Sequence, residues 1–133
     1  MLDHNALVQV TRWAIGLSWI YHGLFPKLIN IAPIEQHLAN QVGLSVELTF
    51  LLIKFAGVVD ITFGLIFLIF YKVRTIIYLN ILGLVLLLLM VAILDYNYLF
   101  EAFNPVTTNI PLIILSLFLL TEFHPNSKNK PDN

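Results

Sequence analysis

Cysteine and charge are what this sequence lacks. None of its 133 residues is a cysteine, which excludes disulfides, thiolate metal sites and dithiol redox chemistry. Only 11% of the residues are charged and 59% are hydrophobic, whereas about a quarter of the residues of a soluble domain are charged. Because so little charge cannot cover a soluble surface of this size, we expect the protein to lie in lipid. The formal net charge of −1 argues against nucleic acid as a partner.

Four apolar stretches are long enough to cross a bilayer core of about 30 Å. They predict an all-α integral membrane protein, a four-helix bundle forming a single domain over residues 1–123, with these spans: 6–25, 48–70, 76–94 and 107–123. The remaining residues, 124–133, are polar and contain proline, so we expect a disordered tail.

Lysine and arginine set the expected orientation. With four spans, the N-terminus, the 71–75 turn and the C-terminus share one side, and this side carries Lys72, Arg74, Lys128 and Lys130. The positive-inside rule therefore predicts that both termini are cytoplasmic. On the opposite side, residues 31–42 read IAPIEQHLANQV with apolar residues on one helical face, which predicts a short interfacial helix between spans one and two.

A carboxylate and a guanidinium lie at similar depths inside two of the predicted spans. Asp60 lies near the middle of span two and Arg12 lies in span one, about 6 Å apart in depth at a rise of 1.5 Å per residue. Each shares a helical face with glycines, which allow close helix packing. Since charge inside a membrane is costly unless it is paired, we expect Arg12 and Asp60 to form a buried charge pair between helices one and two.

The outer end of span one reads WIYHGLFPKLI, and two of its polar residues admit several interpretations. His22 is either hydrogen-bonded within the bundle or acts as a proton relay, a quinone-carbonyl donor or a metal or haem ligand. The metal interpretation is the least favoured, because no ligand-spacing motif such as H-E-x-x-H is present. Lys27 is expected to anchor the helix at the interface, where a long side chain can extend to the headgroups.

These segments together resemble the DoxX-like family of small four-helix bacterial membrane proteins. The resemblance rests on RWAIGLSWIYHGLFPKLI, IEQHL, GVVDITFGLIFLIF and FNPVTTNIPL, from residue 12 to about residue 115. Asp60 stands where the family usually has a glutamate. The other matching positions are Tyr21, His22, Gly23, Pro26, Lys27, Glu35, Asn104, Pro105 and Asn109.

The resemblance implies a bacterial inner-membrane protein that serves as an accessory subunit or quinone-linked component of a membrane redox system. A polar pocket would open toward the periplasm, and the candidate residues for a ligand or quinone are Tyr21, His22, Lys27, Glu35, Asn104 and Asn109. Expected partners are the bilayer, redox-complex subunits and a second copy of the chain. Quinone is the cofactor considered; haem or metal is not expected.

Two alternatives stay open: a transporter or binding protein for a small solute or lipid, and a structural membrane partner without a ligand site. The sequence has no Walker motif, no G-x-S-x-G elbow and no dinucleotide fingerprint, so it does not indicate a self-contained hydrolase or NAD enzyme. It does not decide whether the protein is an enzyme at all.

Overall fold

The computed structural model describes residues 3–102 and 104–123, and this part of the chain is helical with no strands. Five α-helices occur in the order α1 (His4–Gly23), α2 (Pro33–Gln41), α3 (Val46–Phe70), α4 (Arg74–Leu94) and α5 (Pro105–Glu122). A π-helical segment, Leu24–Ile29, continues α1, and a 3-10 turn, Tyr96–Leu99, follows α4. The four long helices begin and end within two residues of the predicted spans. The predicted tail, residues 124–133, lies outside the described residues.

Side-chain caps explain where several helices begin. Asp3 accepts a hydrogen bond from the Ala6 amide at 2.6 Å, and Asn104 accepts one from the Thr107 amide at 3.0 Å. Each cap satisfies one of the amides that a helix leaves without a partner in its first turn. Pro105 follows Asn104 at the first position of α5, where no amide donor is needed.

Three helices are long and apolar enough to cross a membrane: α3, α4 and α5, with mean hydropathies of 2.2, 2.9 and 1.5. Only 33%, 22% and 22% of their most apolar windows are buried inside the protein. Large apolar side chains such as Phe55, Ile69 and Ile93 are therefore exposed. An apolar exterior of this extent is consistent with contact with a lipid bilayer.

The interior contains polar and charged side chains as well as apolar ones. Each long helix buries one stripe of residues, and the buried polar and charged groups of these stripes and of the π-helical segment are Thr11, Lys27, Thr49, Asp60, Asn80, Asn109 and Ser116. Polar groups that face other helices can find hydrogen-bond partners, whereas lipid offers none. The protein therefore exposes apolar side chains on its surface and keeps several polar side chains in its interior.

Close packing of α1 against α3 depends on four glycines, as the sequence predicted. A Cβ atom on Gly64 would lie 2.8 Å from the Gly16 carbonyl oxygen, and one on Gly57 would lie 2.8 Å from the Gly23 carbonyl oxygen. No side chain fits at these distances, so the two backbones touch directly. These contacts set the register of the antiparallel pair, with residue 16 opposite 64 and residue 23 opposite 57.

A chain of buried hydrogen bonds joins α1, α4 and α5. The Trp19 indole donates to Asn80 Oδ1 at 2.6 Å, the Asn80 amide donates to Ser116 Oγ at 2.6 Å, and Ser116 donates to the Leu112 carbonyl at 2.7 Å. Asn80 and Ser116 are fully buried. The network fixes α4 and α5 relative to the Trp19 ring of α1.

Candidate functional site

Lys27 is brought to the site by the π-helical segment. Gly23 ends α1 and Pro26 lies inside the segment, yet the backbone remains helical to Ile29. The wider π turn changes the direction in which side chains leave the helix, and such turns are frequent at functional sites. Lys27 is only 7% exposed as a result. The expectation that Lys27 anchors the helix at the interface is therefore wrong.

Lys27 and Asp60 form a buried ion pair. The Lys27 Nζ atom donates to Asp60 Oδ2 at 2.7 Å, and it lies 3.8 Å from Glu35 Oε1 on α2. The ammonium thus faces two carboxylates that come from different helices. The group contains one positive and up to two negative charges, and it joins the π segment, α2 and α3.

Arg12 takes no part in this group. Its Nε donates to the Leu68 carbonyl at 2.7 Å, its Nη1 donates to Gln9 Oε1 at 3.0 Å, and its guanidinium lies 4.7 Å from the centre of the Tyr71 ring. Leu68 is close to the end of α3, where carbonyls have no partner within the helix. Arg12 therefore caps α3, and the expected Arg12–Asp60 pair is replaced by Lys27–Asp60.

Side-chain direction and register explain this correction. Side chains of a helix point back toward its N-terminus. Arg12 consequently points away from the level of Asp60, whereas Lys27, beyond the far end of α1, points back toward it. In the glycine-defined register Arg12 lies opposite Leu68, which is eight residues, or about 12 Å, from Asp60 along α3.

The ion pair forms part of the wall of a cavity of about 570 Å³. The charged groups Lys27, Asp60 and Glu35 lie together at one place in its wall, the polar end, and the rest of the lining mixes apolar side chains with hydrogen-bonding ones. Its polar lining consists of Ser18, Trp19, Tyr21, His22, Lys27, Glu35, Asp60, Thr108 and Asn109. Its apolar lining consists of Pro26, Ile34, Leu38, Leu84, Leu87, Met90, Val91, Pro105 and Leu112.

Glu35 brings a titratable group from α2 to the polar end of this cavity. Burial raises the pKa of the Glu35 carboxyl above its ordinary value of 4.5, and the positive charge of Lys27 opposes this increase. The carboxylate of Asp60 adds to the increase. Because the Glu35 and Asp60 carboxylates already lie close to the single Lys27 ammonium, a further negatively charged group in this part of the cavity would be unfavourable.

The structure brings five of the six predicted pocket residues to the cavity: Tyr21, His22, Lys27, Glu35 and Asn109. Within the described part of the chain, the His22 ring forms no hydrogen bond, so its nitrogens are available to a ligand. Tyr21 is 58% exposed and lies at the edge. Asn109 is buried and donates to the Leu84 carbonyl at 3.3 Å. Asn104 is not in the lining; it caps α5 instead.

Trp19, Ser18 and Thr108 also line the cavity, although the sequence analysis did not select them. The sequence did indicate that Trp19 faces the interior, because Trp19 lies between Gly16 and Gly23 on the helical face that packs against α3. Its ring meets Phe63 edge-on at 5.0 Å between ring centres. Ser18 and Thr108 carry no comparable signal, because a single hydroxyl in an apolar helix is common.

His37 and Asp95 form a second polar contact, outside the cavity lining. The His37 Nε2 atom lies 3.0 Å from Asp95 Oδ2, and the ring packs on Tyr98 at 5.4 Å. A hydrogen bond from the Asn97 backbone amide is the main cause of the lowered pKa of Asp95. This contact joins α2 to the connection after α4.

The described residues contain no group of three or more His, Asp or Glu side chains that could hold a metal ion. The chemistry of the cavity wall is therefore that of hydrogen-bond donors and acceptors around an ion pair. Such a wall can orient a small polar group, while its apolar side chains can hold hydrocarbon.

The helical fold, the membrane-compatible exterior and the cavity between the helices define a small polytopic membrane protein. The model of the DoxX-like family matches residues 16–117, and the chain belongs to that family. The match includes α2, α3, α4 and all of the cavity lining. No curated protein and no solved structure matches the chain.

Proposed function

We propose that this DoxX-like protein binds the polar head of a quinone in the 570 Å³ cavity and serves as an accessory component of a quinone-linked membrane redox system. The observation that carries the proposal is the cavity itself, whose wall combines the charged groups of the polar end with hydrogen-bonding and apolar side chains. A quinone head combines the same features, with two carbonyl oxygens on an otherwise apolar ring.

The charges of the wall favour a neutral head over an anionic one. Lys27 is already paired with Asp60 at 2.7 Å and faces Glu35 at 3.8 Å, so no free positive charge is left for a phosphate. A phosphate would also be repelled by both carboxylates. A quinone carbonyl requires only a donor, and His22 is available to supply one.

We further propose that α1 crosses the bilayer as a fourth span and that α2 lies at the outer membrane surface. The packing of α1 on α3 from Gly57 to Leu68, continued by the π-helical segment, supports this arrangement of α1, because α3 is itself long enough to cross. Lys72 and Arg74 lie at the α3–α4 turn, at the opposite end of the protein from α2. By the positive-inside rule, that end and both termini are cytoplasmic, and the cavity opens toward the periplasm of a bacterial inner membrane.

Quinone binding is testable by tryptophan fluorescence, because Trp19 lines the cavity. In the purified Trp13→Phe variant, Trp19 is the remaining tryptophan of the two in the chain. Titration with a short-tailed ubiquinone in nanodiscs should quench it saturably. His22→Ala should weaken binding, whereas His37→Ala, outside the lining, should not.

The outcome also separates the alternatives. Failure of ubiquinone and menaquinone analogues to bind, together with a phospholipid retained stoichiometrically through purification, would favour a lipid-binding protein. Absence of any saturable ligand would favour a structural membrane partner.

The orientation has an independent test. A C-terminal fluorescent-protein fusion should be bright in bacterial cells, and a C-terminal alkaline phosphatase fusion should be inactive. The reverse pattern would show that the number of spans or their direction is wrong.

A further inference from the structure

A second cavity, of about 320 Å³, lies between α3 and α4. It shares four lining residues with the larger cavity: Trp19, Asp60, Leu87 and Met90. The remaining lining is apolar: Val59, Phe63, Leu79, Gly83 and Leu86. The two cavities are thus adjacent across one shared wall, and the second has almost no polar surface apart from Asp60 and the Trp19 indole.

The second cavity opens sideways, between two helices that follow each other in sequence but touch little. α3 and α4 are joined by a short turn, yet α3 packs mainly on α1 and α4 packs mainly on α5. At the edge of the gap, Val59 on α3 and Leu79 and Leu86 on α4 are 47%, 47% and 54% exposed. Both helices are apolar enough to cross a membrane, so the gap faces the hydrocarbon of the bilayer.

Gly83 keeps the gap open in front of Trp19. A Cβ atom at this position would already be 3.4 Å from the Trp19 ring, so a larger side chain would fill the space between the ring and α4. The lining of α4 extends from Leu79 to Met90, about 16 Å along the helix at 1.5 Å per residue. The gap therefore has the shape of a narrow apolar cleft that starts at the polar cavity.

We propose that this cleft is the binding subsite for the hydrocarbon tail of the ligand, which enters from the bilayer between α3 and α4. This inference rests on the proposed function, in which the larger cavity holds the polar head. The ligand class is a neutral-headed amphiphile with a single tail. The shared wall of the two cavities carries the argument, because a head seated near Lys27 and Asp60 has an apolar space directly beside it. Direct entry from lipid also keeps the tail in apolar surroundings throughout, so that binding requires no exposure of the tail to water.

Two adjacent valines provide a matched test. Val59 lines the cleft, whereas Val58 lines neither cavity and is similarly exposed, at 52% against 47%. Val59→Phe and Val58→Phe are each made in the Trp13→Phe background and titrated in nanodiscs. The two probes are ubiquinone analogues with the same ring, one carrying a two-isoprene tail and one carrying no tail. The readout is the quenching of Trp19.

We expect the tailed probe to bind the parent more tightly than the tail-less probe. Val59→Phe should weaken the tailed probe by about tenfold, because the phenyl ring occupies space needed to bury the tail, and should leave the tail-less probe unchanged. Val58→Phe should change neither. A Val59→Phe variant that binds both probes like the parent would overturn the inference, as would a loss of equal size for both probes.

The same titrations distinguish this failure from failure of the proposed function. If the parent binds neither probe, the quinone proposal fails and the tail subsite fails with it. If the parent binds both probes with equal affinity, the head site stands and the tail subsite alone is overturned. A second arm uses nanodiscs of brominated phospholipid, and Trp19 quenching is compared before and after addition of a saturating two-isoprene alcohol, which carries the same tail and does not quench. Quenching that this alcohol does not relieve would assign the cleft to a bilayer acyl chain and would overturn the inference as well.

Discussion

The Lys27 ammonium lies 2.7 Å from Asp60 Oδ2, although 33 residues separate the two in sequence. Both residues are buried, at 7% and 8% exposure, and both line the same cavity. The pair therefore has two roles: it compensates two charges inside the protein, and it gives the polar end of the cavity a fixed shape.

The first prediction concerns the energy of this pair. Lys27→Met or Asp60→Leu alone should destabilise the protein by about 3–5 kcal/mol, because each leaves a buried charge without its partner. The double variant should lose less than the sum of the two, since no charge remains unpaired. Thermal unfolding in detergent, followed by circular dichroism, measures the three values.

Arg12 provides the control for this cycle. It caps the Leu68 carbonyl and does not contact Asp60, so the losses of Arg12→Leu and Asp60→Leu should add. Strong coupling between Arg12 and Asp60, or additive losses for Lys27 and Asp60, would contradict the geometry of the site.

The second prediction is a pH dependence at Glu35. Because burial raises its pKa in the folded protein above 4.5, the folded state binds the proton more tightly than the unfolded state does. The stabilisation linked to this proton is fully present below pH 4.5 and is lost as the pH rises through the higher folded-state pKa. The stability of the parent relative to Glu35→Gln should therefore fall as the pH rises from about 4.5.

Glu47→Gln is the matched control for Glu35, because Glu47 begins α3 on the same side of the protein and is exposed. Thermal unfolding between pH 4 and pH 8 should show no comparable trend for this variant. A parent that gains stability over Glu35→Gln with rising pH would mean that ionised Glu35 is favoured by its surroundings.

The third prediction tests the contact of α1 with α3. Gly64→Ala should cost about 1–3 kcal/mol, because the added methyl group would lie 2.8 Å from the Gly16 carbonyl and would push the helices apart. Gly83→Ala introduces the same methyl group at 3.4 Å from a side-chain atom of Trp19, so it should be tolerated. Equal melting temperatures for the two variants would show that α1 and α3 pack less closely than described.

The fourth prediction concerns the buried hydrogen-bond network. Asn80→Leu removes the acceptor of the Trp19 indole and the donor to Ser116, so two buried polar groups lose a partner. The buried Trp19 indole is then left without an acceptor, at a cost of about 1–3 kcal/mol, whereas Ser116 still donates to the Leu112 carbonyl. Ser116→Ala removes only the acceptor of the Asn80 amide and should cost less, since Asn80 still accepts from Trp19 and the change in side-chain volume is small. A ranking with Ser116→Ala as the more harmful change, measured by thermal unfolding, would contradict this network.

The sequence alone determined what depends on local pattern. Runs of apolar residues located the four long helices within two residues, since the hydropathy and length of a segment are properties of that segment. Glycine spacing identified the faces by which α1 and α3 pack. The resemblance in residues such as His22 and Glu35 identified the family, and five of the six selected pocket residues lie around one cavity.

Only the tertiary structure decided which charges meet. Depth estimates placed Arg12 within reach of Asp60, but they ignored that helical side chains point toward the N-terminus and that glycine contacts fix the register of α1 on α3. The sequence also contained no indication of the π-helical turn at Pro26, because a proline at the end of an apolar stretch suggests that the helix ends or kinks there. Ion pairing is a property of two segments at a particular register, so no pattern within either segment could assign Lys27 to Asp60.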